Sequence, residues 1–204
     1  MSELVSIFST GIQKSDLYNL SEEELNFIKG LETRKNISNS YSSDLKVLNN
    51  EQLKNLKDFC QQEIDNYLHK VLNIKDSIEI FITQSWVNFS QQGEQHHLHN
   101  HPNSILSGVY FIEGEVGNPI VFRNSGFTNN ICGKFTDLPV EYNTLNSPRW
   151  WMPNINGQLL VFPSELDHLV EVNNSDKTRI SLSFNTFIRG DLGSDDDLSD
   201  LTLS

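Results

Sequence analysis

The sequence predicts a mainly β protein with N-terminal helices, built as a small antiparallel barrel or a double-sheet jelly roll. Three observations carry this. A helical apolar period is confined to the first third of the chain; short alternating runs rich in β-branched and aromatic residues follow; and Gly, Pro, Asn and Ser separate those runs. The 204 residues suit one domain. A hydrophobic content of 37% with 10% aromatics is enough to fill its core.

Ser21-Glu22-Glu23-Glu24 opens the first helix with a capping box: the Ser21 hydroxyl serves one free amide, Glu24 reaches back to another, and early acids suit the helix dipole. This helix is expected to end near Gly30. Residues 36–43 carry turn chemistry with no period and are read as loop. From Asn50, Leu53, Leu56, Cys60, Ile64, Tyr67 and Val71 step by three or four, one face of a long helix ending near Asn73. His69 lies off that face and is read as a surface residue. After residue 76, Ile78, Ile80, Ile82, Trp86, Asn88 and Ser90 alternate as a strand. Further strands are expected at 95–101, 105–113, 119–123, 140–145, 157–163, 168–172 and 178–188, with the helices packed outside one sheet. The organisation expected is a helical segment over 1–76, a β core over 77–190 and a disordered acidic tail over 191–204.

Fifteen Lys and Arg against 27 Asp and Glu give a net charge of −12, a poor basis for neutralising phosphates, so general nucleic-acid or anionic-membrane binding is disfavoured. Five of those acids, Asp191, Asp195, Asp196, Asp197 and Asp200, follow the last cation, Arg189. No apolar run approaches the ~20 residues of a membrane span, and the N-terminus carries no secretion pattern. Cys60 and Cys132 sit on different expected elements, in keeping with reduced thiols and a cytoplasmic location, the host cytoplasm for a phage protein.

The chemistry concentrates in Gln95-His96-His97-Leu98-His99-Asn100-His101. On a regular strand His97, His99 and His101 share a face, while His96 and Leu98 point the other way. Two imidazoles at i, i+2 can chelate one ion, and a jelly-roll metal site takes its next histidine from a distant strand. His168, at the end of Gly157-Gln-Leu-Leu-Val-Phe-Pro-Ser-Glu-Leu-Asp-His168, is the candidate for that place. Asp167 would point to the opposite face. In the alternating run Thr178–Asn185, Arg179, Ser181 and Ser183 share a face. An inward arginine in a barrel is costly unless it meets an anion, and its planar fork suits a carboxylate, so Arg179 with Ser181 reads as a carboxylate clamp. Trp150 and Trp151 serve either as packing or as a platform for a substrate ring.

The order His-x-His, His168, Arg179-x-Ser181 resembles the iron(II)- and 2-oxoglutarate-dependent oxygenases, with their double-stranded β-helix. More narrowly, SWVNFSQQGEQHHLHNHPNSILSGVYF, GQLLVFPSELDHLV, RISLSFN and the N-terminal SIFSTGI are similar to a bacterial and tailed-phage family of such enzymes, related to prolyl 4-hydroxylases. The resemblance implies that His99, His101 and His168 hold iron(II), with His97 a neighbour. It also implies that Arg179 and Ser181 bind 2-oxoglutarate, O2 being the co-substrate and succinate and CO2 the released products. Where the superfamily usually has Asp or Glu, this chain has His101, so three neutral imidazoles would leave the metal its full charge. Where relatives often have two tyrosines, this chain has Tyr110-Phe111. Ser107, Val109 and Phe111 share a face, so the phenol that would assist Arg179 is missing, and Ser107 or Ser181 is expected to substitute. Asn88, inward on the first barrel strand, is expected to meet the other end of 2-oxoglutarate. The implied substrate is a protein or peptide side chain, proline among them, or a small molecule; a homodimer is the implied assembly. The rival reading is a cupin-type metal-dependent dioxygenase or isomerase without 2-oxoglutarate: Gly93 and His99-x-His101 match its opening, but no acid follows between Pro102 and Tyr110.

Overall fold

The structure, a computed structural model, describes residues 9–123 and 141–203. The chain starts with a short strand β1 (Gln13–Lys14), then helix α1 (Glu22–Lys29), strands β2 (Thr33–Lys35) and β3 (Ser40–Ser42), and helix α2 (Lys54–Tyr67). The capping box forms as expected: Glu24 N–H donates to Ser21 Oγ at 3.2 Å, and Ser21 N–H to Glu24 Oε2 at 2.8 Å. Leu56, Cys60, Ile64 and Tyr67 are the buried face of α2. The period fails at Val71, which is 47% exposed, because a π-helical turn over Leu68–Leu72 shifts the phase and buries Leu68 instead. His69 is exposed. Residues 36–43, read as loop, contain β3, and with β2 it extends the main sheet along β4.

The core then runs β4 (Glu79–Ser90), β5 (His96–His99), β6 (Leu106–Glu113), β7 (Ile120–Arg123), β8 (Arg149–Met152), β9 (Leu159–Pro163), β10 (His168–Val170) and β11 (Arg179–Leu192). Its strands divide between a major sheet, ordered β1-β9-β6-β11-β4-β3-β2, and a minor sheet, ordered β5-β10-β7-β8. All the pairings are antiparallel. Chain order and sheet order interleave as in a double-stranded β-helix, the fold expected. Residues 141–145, expected in a strand, are not in one, and the rest of that expectation, with Cys132, falls outside the described residues. Strand β8, Arg149–Met152, lies outside the expected strands.

Alternation places two cores on the two faces of the major sheet. Tyr110, Ile112, Leu159, Val161, Ile180, Leu182 and Phe184 pack against Ile28, Leu56, Cys60 and Ile64 of the helices. Val109, Phe111, Leu160 and Phe162 face inward, against Ile120, Phe122 and Met152 of the minor sheet. Each such side chain, fully buried, contributes roughly 1.5–3 kcal/mol. Gly108 pairs with Phe184, and a Cβ there would fall 2.1 Å from Phe184 Cζ, so the bare backbone lets the ring lie across the seam. The acidic tail, expected to be disordered, instead turns back: β12 (Leu201–Leu203) pairs with Gly190–Leu192 as an exposed hairpin. No helix among the described residues is long and apolar enough to cross a membrane.

Candidate active site

Between the two sheets lies one cavity that joins the histidine cluster to Arg179. His96, His99, His101 and His168 line one part of it; Asn88, Arg179, Ser181 and Ser183 line another, with Trp86, Val109 and Phe162 among the walls. One nitrogen from each of His99, His101 and His168 lies within 4.8 Å of the other two. Three strand ends and loops bring them together: His99 closes β5, His101 is held just beyond by its amide donating to Ser164 O at 2.9 Å, and His168 opens β10 directly opposite His99.

Two of these rings are pre-oriented. His99 Nδ1 lies 2.8 Å from His97 O and His168 Nδ1 lies 2.9 Å from Leu166 O. A carbonyl can only accept, so each Nδ1 carries the proton and each Nε2 keeps its lone pair. Burial, reinforced by the neighbouring imidazoles, pushes His101 down to about 3. Burial, then His99, brings His168 to about 4, and burial also lowers His99. All three are therefore neutral donors at pH 7, as metal ligation requires. His101 Nε2 and His168 Nε2 stand 3.2 Å apart, within hydrogen-bond reach of each other.

The facing of the cluster departs from regular alternation. Along β10, two steps separate His168 from Val170, yet their partners on β5, His99 and His96, are three apart. That extra residue is a β-bulge, and it turns His96 to the cavity side together with His99. Their rings stack at 4.4 Å, and His97, expected on the shared face, is exposed. Asp167 accepts from Asn100 Nδ2 at 3.1 Å, and its charge acts on His99 and His168.

Arg179 is 2% exposed on a strand flanked by β4 and β6, so it is no edge-strand arginine. Its Nη1 donates to Ser181 Oγ at 3.1 Å, and its guanidinium lies 5.7 Å from the Phe111 ring centroid. Nε and Nη2 have no partner among the described residues. Burial pushes its pKa down to about 10, which still leaves it cationic at neutral pH. Asn88, opposite Ser181 on β4, donates to Ser183 Oγ at 3.1 Å and leaves its Oδ1 unpaired. Ser107 is not brought to this group. It pairs with Asn185, while Ser181 pairs with Phe111 four residues along β6, about 13 Å away at the usual strand rise. Ser107 Oγ instead bonds Ser164 Oγ at 2.8 Å and Asn185 Oδ1 at 2.9 Å. Tyr110 points to the helices and donates to Tyr18 O at 2.7 Å, so the phenol is indeed absent from the cavity.

One residue near the site escaped the sequence, and a second was named there without a definite place. Asn154, 1% exposed with neither amide atom paired, flanks Arg179 across Gly114; a loop residue carries no period that could have found it. Trp150 stands in one cross-strand row with His99, His168 and Phe122, hence on the cavity side, and is 40% exposed. Trp151 faces the other way, and its Nε1 donates to Glu171 Oε1 at 3.3 Å. The sequence left the choice between them open because β8 was not recognised as a strand.

Residues 84–185, spanning β4 to β11, match the sequence model of the family described as "Putative 2OG-Fe(II) oxygenase". No curated protein matches the chain. Among solved structures, an oxidoreductase of the 2OG-Fe(II) oxygenase family from Burkholderia pseudomallei is similar, with a TM-score of 0.58 at 13% identity over 86% of this chain and 84% of that one. The epimerase SnoN of nogalamycin biosynthesis gives 0.60 at 12% identity over 89% and 80%. A Pseudomonas putida prolyl-4-hydroxylase gives 0.54 at 12% over 87% and 93%. At such identities the structures speak for the fold; the family model covers half of the chain and sets aside the cupin alternative. The chain belongs to the 2OG-Fe(II) oxygenase family and is an oxidoreductase that works with iron(II), 2-oxoglutarate and O2.

Proposed function

We propose that His99, His101 and His168 hold iron(II), that Arg179 and Ser181 with Asn88 bind 2-oxoglutarate, and that the enzyme hydroxylates a protein or peptide side chain. The observation that carries this is a single cavity with three neutral imidazoles converging in one part and a buried, two-thirds unpaired guanidinium fork in another. Both ends fit the absent groups. His99 and His168 offer unprotonated Nε2 atoms to a first-row cation, His101 joins them once its proton leaves Nε2, and an orphaned buried cation is tolerable only where a carboxylate will meet it. When bound, iron(II) supplies the redox chemistry that couples conversion of 2-oxoglutarate to succinate and CO2 to oxidation of the substrate.

The chain's own work is positional. Arg179 presents Nε and Nη2 to a carboxylate while Ser181 fixes Nη1, and Asn88 Oδ1 is left to accept from a donor. His101 must move its remaining proton off Nε2, because His168 Nε2 faces it as an acceptor and both cannot serve one ion otherwise. Phe162, Phe122 and Val109 exclude water between the two ends. Trp150, at the open end of the histidine row, is a surface on which a proline ring can stack, which favours a peptide substrate. The family likeness to a prolyl-4-hydroxylase fold points the same way. A small molecule is the second reading, because SnoN, of similar fold, belongs to nogalamycin biosynthesis.

Purified protein given iron(II) and 2-oxoglutarate without oxygen should show a visible charge-transfer band. Its absence in protein of confirmed metal content overturns the 2-oxoglutarate site. With oxygen added, a peptide library should yield mass shifts of one oxygen together with succinate, and shifts confined to small molecules would move the substrate to the second reading. Light scattering on the same preparation tests the expected homodimer.

A further inference from the structure

We infer that His96, His97 and His99 form a second, outer divalent-metal site that shares His99 with the inner group and loads it. One nitrogen from each of the three lies within 4.8 Å of the others, as holds also for the inner group. Donors around one ion at ~2.1 Å stand no more than about 4.2 Å apart, so a small side-chain rotation closes either set. The β-bulge makes this possible: without the extra residue, His96 would face away from His99. The rings are mutually adjacent, with centroids 5.2 Å apart for His96–His97, 4.4 Å for His96–His99 and 5.4 Å for His97–His99.

Exposure falls along the chain of ligands. His97 is exposed, His96, His99 and His101 are intermediate, and His168 is 4% exposed. Because His99 Nδ1 is engaged by the His97 carbonyl, only its Nε2 is available, and the two sites compete for that one lone pair. They are therefore occupied in succession. A hydrated ion exchanges water for imidazoles at the surface first, then passes to His101 and His168 while His99 stays attached, so it is never fully released. The inner destination rests on the reading proposed above for His99, His101 and His168.

The test uses apo protein, the full chain, with Co(II) followed anaerobically by its visible absorption and total bound metal. His97→Ala removes an exposed ring but keeps the backbone carbonyl that orients His99. It should bind one Co(II) with the wild-type final spectrum, but load more slowly, on the order of tenfold. A His101→Ala/His168→Ala variant should still bind one Co(II), more weakly and with a different spectrum, and adding His97→Ala should abolish that binding. Wild-type loading by His97→Ala, or no Co(II) on the double variant, overturns the outer site. A double variant that retains the wild-type affinity and spectrum would instead overturn the inner assignment, leaving the outer group as the metal centre.

Discussion

Strands β11 and β5 both carry polar residues into the cavity, but only one obeys simple alternation. Strand β11 is long and hydrogen-bonded on both sides, by β4 and β6, so Arg179, Ser181 and Ser183 fall on one face as period two demands. Strand β5 spans four residues at the end of the minor sheet, pairs among the described residues with β10 alone, and bulges. A slip in β11 would turn Ile180, Leu182 and Phe184 out of the core shared with the helices and drive Arg179, Ser181 and Ser183 into it. A slip in β5 costs little, because its side chains are histidines and a leucine at a partly open edge. Parity is thus enforced where many contacts depend on it and is free to serve chemistry where few do.

The largest expected effect breaks the regular strand's contribution to binding. Truncating the partner of a buried charge pair costs about 2–5 kcal/mol, so Arg179→Ala should raise the KM for 2-oxoglutarate by roughly 30-fold to a few thousand-fold, with bound iron unchanged. Arg179→Met should at the same time raise the melting temperature of the apo protein, since it removes a buried cation with two orphaned nitrogens. A variant that lost iron and stability together would make Arg179 a structural residue.

Next comes the seam that holds β11 in register. Gly108→Ala forces a Cβ into the Phe184 ring and should cost about 1–3 kcal/mol or more, read as a shifted urea midpoint. Phe184→Leu in the same chain should recover part of it. An unchanged midpoint would mean the seam yields and β11 is less constrained than its pairing suggests.

The histidine side is tested by pH. His96 and His101 are held at about 3 and His168 at about 4, against 6.5 when unfolded, with burial the first cause for each. Below pH 6.5 the unfolded chain takes up protons that the folded apo protein refuses, so stability that is fully present above 6.5 should drain away as pH falls toward 4 and then 3. Melting curves of apo protein should show this loss, and His96→Ala should blunt it. A flat profile would mean the histidines are solvated and the edge strand is more open than described.

The smallest effect separates the two serines proposed for Arg179. Loss of a hydrogen bond of about 0.5–1.5 kcal/mol predicts a rise of roughly twofold to tenfold in the KM for 2-oxoglutarate in Ser181→Ala. Ser107→Ala should leave that KM alone and lower stability instead, through the hydrogen bonds lost to Asn185 Oδ1 and to Ser164, which keeps its bond to Ser104. The reverse outcome would return Ser107 to the binding site.

Much of this was legible from local pattern. The capping box, the buried face of α2 and the inward alternation of Arg179-x-Ser181 follow from periods and spacings that a few residues define; the choice of His99-x-His101 with His168 rested on the family resemblance, since alternation alone grouped His97 with them. What escaped has a common cause. The bulge that brings His96 in, the π turn that turns Val71 out, and the strand that aims Trp150 at the cavity are each one residue out of phase, or pattern-free, in the sequence. Ser107 was placed on the correct face but at the wrong height, since alternation reports side and not distance along the strand.

The sequence by itself determined which residues are chemically able to hold a metal and a dicarboxylate, and that a two-sheet β fold would carry them. Only the tertiary structure decided which of the clustered histidines share a cavity, because that depends on a single extra residue in the pairing of β5 with β10, and pairing is a property of two strands rather than of one.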